Sequence, residues 1–220
     1  MKKGAIFHTS KGTLAMVDEL AKRIMPDVTL MHIVEDSMIA DVMAQGGVTP
    51  AINARIAAYV TSANLAGCDL FFTACSSIGA SVERCQFISP IPVMRIDEAM
   101  ALEAVERYQT IAVLATVGTT LAPTLELIQR KAAELVKQTV IHSQLMADAF
   151  TAFLAGELDK HDAIVAAGIH EAFGKNCDAI VLAQASMSRV LASVGDLPVP
   201  VLTSPERGIQ LLKQPLDAQN

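Results

Sequence analysis

A chain of 220 residues is long enough for one large α/β domain, or two of about 100 residues, with a self-sufficient core. Its formal charge of −6, with 17 scattered Lys and Arg and no tryptophan, excludes a basic footprint or a stacking platform for nucleic acid. Four cysteines, Cys68, Cys75, Cys85 and Cys177, contain no C-x-x-C pair, which argues against a disulfide framework or structural zinc and fits a reduced, cytoplasmic chain. The first apolar run is too short for a signal-peptide core, and no stretch reaches the roughly 18 uninterrupted apolar residues of a membrane span, so a soluble protein without a membrane partner is expected.

Short β-prone runs alternate with stretches of helical period, the pattern of parallel βαβ units. Strands are expected near residues 5–7, 29–34, 70–74 and 93–96, and again near 111–115, 139–141, 179–183 and 199–202. A helix over 13–25 stops at Pro26, and a longer one has Thr49 as N-cap, Pro50 at its first position and Gly67 at its end. Another is expected over about 121–137, and only the final "PLDAQN" reads as frayed.

The chain also repeats itself. "CDLFFTACSSIGASV" from Cys68 aligns without gaps to "CDAIVLAQASMSRVL" from Cys177, and each is followed by Pro-x-Pro-Val. "TSKGTLA" from Thr9 echoes "TVGTTLA" from Thr116. The expected architecture is α/β with two similar lobes, each a four-stranded parallel sheet flanked by helices, related by a pseudo-twofold with a cleft between. The first lobe is expected over residues 1–96, with a C-terminal helix over 205–220 packing back on it, and the second over 97–204. Ligands of such sheets bind beyond the carboxyl ends of the strands.

Cys75 stands at one of those ends, where a strand turns through Ser76 and Ser77 into a helix expected to begin near 78–81. Backbone N–H groups at a helix start favour an anion, either a thiolate or a bound carboxylate, and serine hydroxyls add donors. The competing reading is a small buried hydrophobe, and packing accounts for Cys68 and Cys177; no role falls to Cys85. Thr9 and Ser10 in the first lobe, and Thr116, Gly118, Thr119 and Thr120 in the second, suit a small carboxylate, although Ser and Thr also simply cap helices. His8 is a candidate acid/base because an ordinary imidazole titrates near pH 6.5, the alternative being a surface histidine in a turn. His142 is read as following a strand, His32 as a satisfied interior residue, His161 and His170 as structural or exposed, and Glu83 and Arg84 as pointing outward.

The "TACSSIG" turn, "ATVGTTLAPT" from Ala115, "DAFTAFLAGELDKHDAIV" from Asp148 and the duplicated layout together resemble the aspartate/glutamate/hydantoin racemase superfamily, which includes maleate isomerase and arylmalonate decarboxylase. The resemblance spans nearly the whole chain. It implies no cofactor and a cysteine from each lobe on opposite faces of the substrate's α-carbon; no metal site is expected from the spacing of the residues. Cys75 matches the first of these. The repeat sets Gln184, with Ala185 and Ser186 next, opposite Cys75, and the turn "HTSKG" lacks the acidic residue frequent in the family. The resemblance therefore implies an atypical, one-thiol member acting beside a carboxylate of a small amino acid or dicarboxylate. The alternatives are a decarboxylase protonating one face, or a non-catalytic small-carboxylate binding protein. Low charge and high apolar content point to a homo-oligomer.

Overall fold

The computed structural model describes residues 2–217. By internal contacts the chain divides into two compact units, one running to Ala99 and resuming at Pro205, the other covering Met100–Ser204. The first contains β1 (Lys3–His8), α1 (Leu14–Ile24), β2 (Thr29–Val34), α2 (Met38–Ala44), α3 (Pro50–Leu65), β3 (Leu70–Thr73), α4 (Gly79–Arg84) and β4 (Val93–Arg95). Helix α5 (Glu98–Arg107) leads into the second, which contains β5 (Thr110–Ala115), α6 (Gly118–Glu134), β6 (Val140–Leu145), α7 (Ala147–Leu154), α8 (Leu158–Phe173), β7 (Ala179–Leu182), α9 (Leu191–Val194) and β8 (Val201–Thr203). Helix α10 (Ser204–Asp217) then returns to the first unit. The last three residues of the expected C-terminal helix lie outside the described residues; Pro215 and Leu216, read as frayed, belong to α10.

Each unit holds one parallel four-stranded sheet, in the orders β2-β1-β3-β4 and β6-β5-β7-β8. The two orders are the same, which is the structural form of the sequence repeat. Successive side chains of a strand face opposite sides, so two-sided burial demands continuous apolar runs. In the first sheet Phe7 and Phe71 pack with Val42 and Ile56 on one side, while Ile6 and Phe72 pack with Val17 and Ile209 on the other. In the second, Val113 and Val181 meet Leu127, and Leu114 and Leu182 meet Ile169 on the opposite side. Helix α10 sits close to its neighbour: a Cβ on Gly208 would lie 2.4 Å from the Ile96 carbonyl oxygen.

The repeated Cys-Asp pair now has a physical cause. Cys68 and Cys177 are buried beside the central strands. Asp69 Oδ2 accepts from the Lys3 backbone N–H at 2.7 Å, and Asp178 Oδ2 accepts from the Thr110 N–H at 2.7 Å. Each aspartate thus satisfies the first donor of the neighbouring strand, which would otherwise lack a partner. Thr49 caps α3 by accepting from the Ile52 N–H at 3.4 Å, with Pro50 at the first helical position, and Gly67 follows that helix with φ of 72°. Among the described residues no helix is long and apolar enough to cross a membrane.

Strand β6 departs from expectation. It runs to Leu145, beyond the expected end at residue 141, and places His142 within the strand, exposed, rather than after it. The polar "HSQ" is tolerated because β6 is an edge strand with solvent beside it. Helix α6 likewise begins at Gly118, three residues before its expected start, so Thr119 and Thr120 lie inside its first turn instead of preceding it.

Candidate functional site

In the first unit, β1 and β3 are neighbours with Phe7 paired to Thr73, so their carboxyl ends bring Thr9 and Cys75 together. Cys75 precedes a 3-10 turn, Ser76–Ile78, which passes directly into α4. Its own N–H donates to Thr73 Oγ1 at 3.2 Å. The residue as a whole is half-buried. Its sulfur receives hydrogen bonds from the Thr9 hydroxyl, the backbone N–H groups of Ser77 and Ile78, and the Ser77 hydroxyl.

These donors favour thiolate, yet the net direction is upward from the ordinary thiol range, because burial outweighs them. The sequence-based expectation of a primed anion at a helix start is corrected accordingly. Only a three-residue 3-10 turn and the six-residue α4 follow the sulfur, so the aligned peptide dipole is small. Cys75 rests as a neutral thiol with donors in place to receive negative charge. Burial also pushes up the thiols of Cys68, Cys85 and Cys177, which are buried.

His8 is the last residue of β1 and 0 % exposed, not a surface residue of a turn. Its Nε2 lies 3.0 Å from His32 Nδ1, and His32 Nε2 lies 3.1 Å from Asp18 Oδ1. Desolvation, reinforced by the neighbouring His32 and opposed by Asp18, lowers its pKa to about 4. An imidazole that exchanges charge near neutrality, as the sequence suggested, is therefore replaced by one that stays neutral. The unfolded chain takes up that proton near pH 6.5. The stability conferred by a neutral His8 is thus complete above pH 6.5 and declines as pH falls toward 4, by about 2 kcal/mol after allowance for solvent screening. Urea unfolding midpoints measured from pH 7 to 4.5 should show this acid limb, and His8→Gln should flatten it. Parallel acid limbs in the two proteins would contradict the assignment.

The remaining first-unit candidates divide. Thr9, Ser76 and Ser77 are buried beside the sulfur's turn. Ser10 is half-exposed in a bend and caps nothing, since α1 starts at Leu14 with Thr13 before it.

The second unit repeats the geometry with different chemistry. Gln184 occupies the place of Cys75, and Thr116 the place of Thr9. Gln184 Oε1 accepts from the Thr116 backbone N–H at 2.6 Å and from Thr116 Oγ1 at 3.0 Å. The carboxamide oxygen is therefore engaged, which leaves the amide N–H groups as its donors. Gly118 is exposed, Thr120 buried, and the buried Thr119 hydroxyl makes no hydrogen bond. Ala185 is buried and Ser186 half-buried in the 3-10 turn Ala185–Val190. Among the described residues no group of three His, Cys, Asp or Glu is placed to hold a metal ion.

Three further residues, Arg95, Asp97 and Asp18, escaped sequence reasoning. Arg95, at the end of β4, pairs with Asp97 through Nε–Oδ1 at 2.6 Å and Nη2–Oδ2 at 2.8 Å, and reaches Glu83 Oε2 at 3.2 Å. Its guanidinium supports the turn after Cys75: a Cβ on Gly79 would meet Arg95 Cζ at 2.4 Å. Glu83 consequently turns inward, contrary to its expected outward face. His32 is half-buried on an edge strand, not an interior residue, and its two ring nitrogens link Asp18 to His8. For the Arg95–Asp97 pair the signal was present as "RID", two opposite charges at an i, i+2 spacing where β4 gives way to a turn.

Solved structures share this fold at low identity. A glutamate racemase isoform from Bacillus anthracis is 14% identical with TM-score 0.73, covering 100% of this chain and 83% of its own. The Francisella tularensis glutamate racemase, solved with D-glutamate, is 16% identical with TM-score 0.71, covering 99% and 82%. An allantoin racemase from Klebsiella pneumoniae is 15% identical with TM-score 0.68, covering 100% and 89%. No curated protein matches by sequence. The model of the Asp/Glu/Hydantoin racemase family matches residues 7–212, and with that match over nearly the whole length the chain belongs to this family.

Proposed function

We propose that the protein is a racemase-like isomerase acting, without a cofactor, at the carbon beside a carboxylate of a small amino acid or dicarboxylate, with Cys75 as its single thiol. The observation that carries this reading is the sulfur at the carboxyl end of β3, surrounded by the donors of Thr9, Ser77 and Ile78. Family membership and the D-glutamate bound to one structural neighbour support the substrate class. Proton transfer beside a carboxylate builds negative charge on the carboxyl oxygens, so fixed donors there lower the barrier. Thr9, Ser10, Ser76 and Ser77, and in the second unit Thr116, Gly118, Thr119, Thr120, Ala185, Ser186 and the amide of Gln184, supply hydroxyl and N–H groups of that kind.

A second reading has its own support. A resting neutral thiol is a proton donor, and glutamine in the equivalent position of the second unit is no acid at neutral pH. That combination suits a decarboxylase or lyase, in which carbon dioxide leaves and Cys75 protonates one face of the enediolate.

Incubation of aspartate, glutamate, hydantoins and substituted malonates in heavy water discriminates these readings. α-Deuterium with interconversion of enantiomers supports the isomerase. Carbon dioxide release with deuterium on one face supports the decarboxylase. Thermal stabilisation by such ligands without deuterium incorporation would replace both with a binding protein.

A further inference from the structure

The Nδ1 atom of His8 is buried and has no hydrogen-bond partner, although the other ring nitrogen is tied into a chain of contacts. One arrangement lets a proton move along the chain. Asp18 Oδ1 can only accept, so His32 Nε2 donates to it; with His32 Nδ1 as the acceptor, His8 Nε2 donates there. What is left at His8 Nδ1 is a bare lone pair at the carboxyl end of β1, in the residue before Thr9.

The outer end of the chain is wet. Asp18 and His32 line a groove of about 570 Å³ beside α1, together with Lys11 and Lys22. The two lysines are held by carboxylates, Lys22 by Asp18 at 2.7 Å and Lys11 by Asp36 at 2.7 Å. Cys75, at the end of the neighbouring β3, packs with Phe7 and Phe71 on the opposite face of the sheet from Ile6 and, by alternation, from His8.

We propose that His8, His32 and Asp18 form a proton relay connecting the buried Nδ1 atom of His8 with solvent in this groove. A proton arriving at His8 Nδ1 forms an N–H bond there while the Nε2–H bond of the same ring breaks. That second proton passes to His32 Nδ1, and the proton on His32 Nε2 passes to Asp18 and then to water. One proton enters and one leaves. Neither ring retains a charge, so the relay works at pH values where a buried imidazolium would be too costly. Reverse transfer restores both tautomers. His32 and Asp18 are positioning residues, acting through His8. Use of the relay in turnover rests on the proton-transfer reading above; its existence does not.

The test needs no substrate. In 15N-labelled protein, exchange of the His8 ring N–H with water is followed by NMR beside the backbone amides of Ile6 and Phe7 in β1. The relay predicts His8 as the Nε2–H tautomer, with its ring proton exchanging at least about tenfold faster than those amides. His32→Phe and, separately, Asp18→Asn should each slow it by about tenfold while leaving the amides unchanged. Should His32→Phe fail to fold, Asp18→Asn decides alone. A ring proton as protected as the strand amides, one unaffected by Asp18→Asn, or a His8 protonated at Nδ1 overturns the relay. Absence of α-deuterium in the substrate assays would overturn the functional reading while leaving these measurements intact.

Discussion

Asp97→Ala is expected to lower the unfolding free energy by about 3–5 kcal/mol, because it leaves the Arg95 cation buried without its principal partner. Arg95 is 1 % exposed and Asp97 0 % exposed, so water cannot replace the lost carboxylate. Burial acts to lower the guanidinium pKa, but Asp97 and then Glu83 outweigh it, and the group is held charged. Glu83 alone is a poor substitute, since it reaches Arg95 Nη1 at 3.2 Å and is partly exposed. Urea denaturation is the measurement, with the midpoint falling and the slope unchanged. Replacing both partners, Arg95→Met with Asp97→Leu, should recover most of the loss, because a matched apolar pair carries no desolvation cost. A single variant as stable as the wild type would show that solvent reaches the pair. A double variant as unstable as the single would assign the loss to packing around Gly79 instead of charge.

That buried pair also marks where the sequence stops being legible. The eight strands could be read because two-sided burial writes β-branched and aromatic runs between Gly, Pro and Asp, and because the pattern occurs twice. The repeat even located the counterpart of Cys75, and the Thr116–Gln184 contact follows from it. Contacts that depend on register between distant segments left no such mark. His8 meets His32 only because Ile6 pairs with His32 and His8 with Val34, which puts both imidazoles on one face. Asp18 joins them from α1, a separate element whose placement no local pattern encodes. A histidine at a strand end reads the same whether it meets water or another imidazole, so its burial and lowered pKa had to come from the fold.

The thiol was legible in position but not in electrostatics, and that distinction shapes the last expected result. Cys75→Ala should reduce turnover on any substrate that exchanges its α-proton by about a thousandfold, or ~4 kcal/mol of barrier, with thermal stability little changed because the residue as a whole is half-buried. Cys75→Ser should be equally poor, since a hydroxyl at that position has no general base among its partners, which are all donors. The pH dependence follows from the sign of the shift. Burial raises the thiol pKa, so the proton-donating form is populated at neutral pH and is lost as pH rises past the ordinary thiol range. Activity that depends on donation should therefore fall on the alkaline side, and alkylation of Cys75 should accelerate over the same interval. Thr9→Val removes a donor that favours thiolate, so both transitions should move to higher pH. Rapid alkylation at pH 6 would instead place a thiolate at rest, making Cys75 the proton-abstracting base, and full turnover in Cys75→Ala would remove the sulfur from the chemistry altogether.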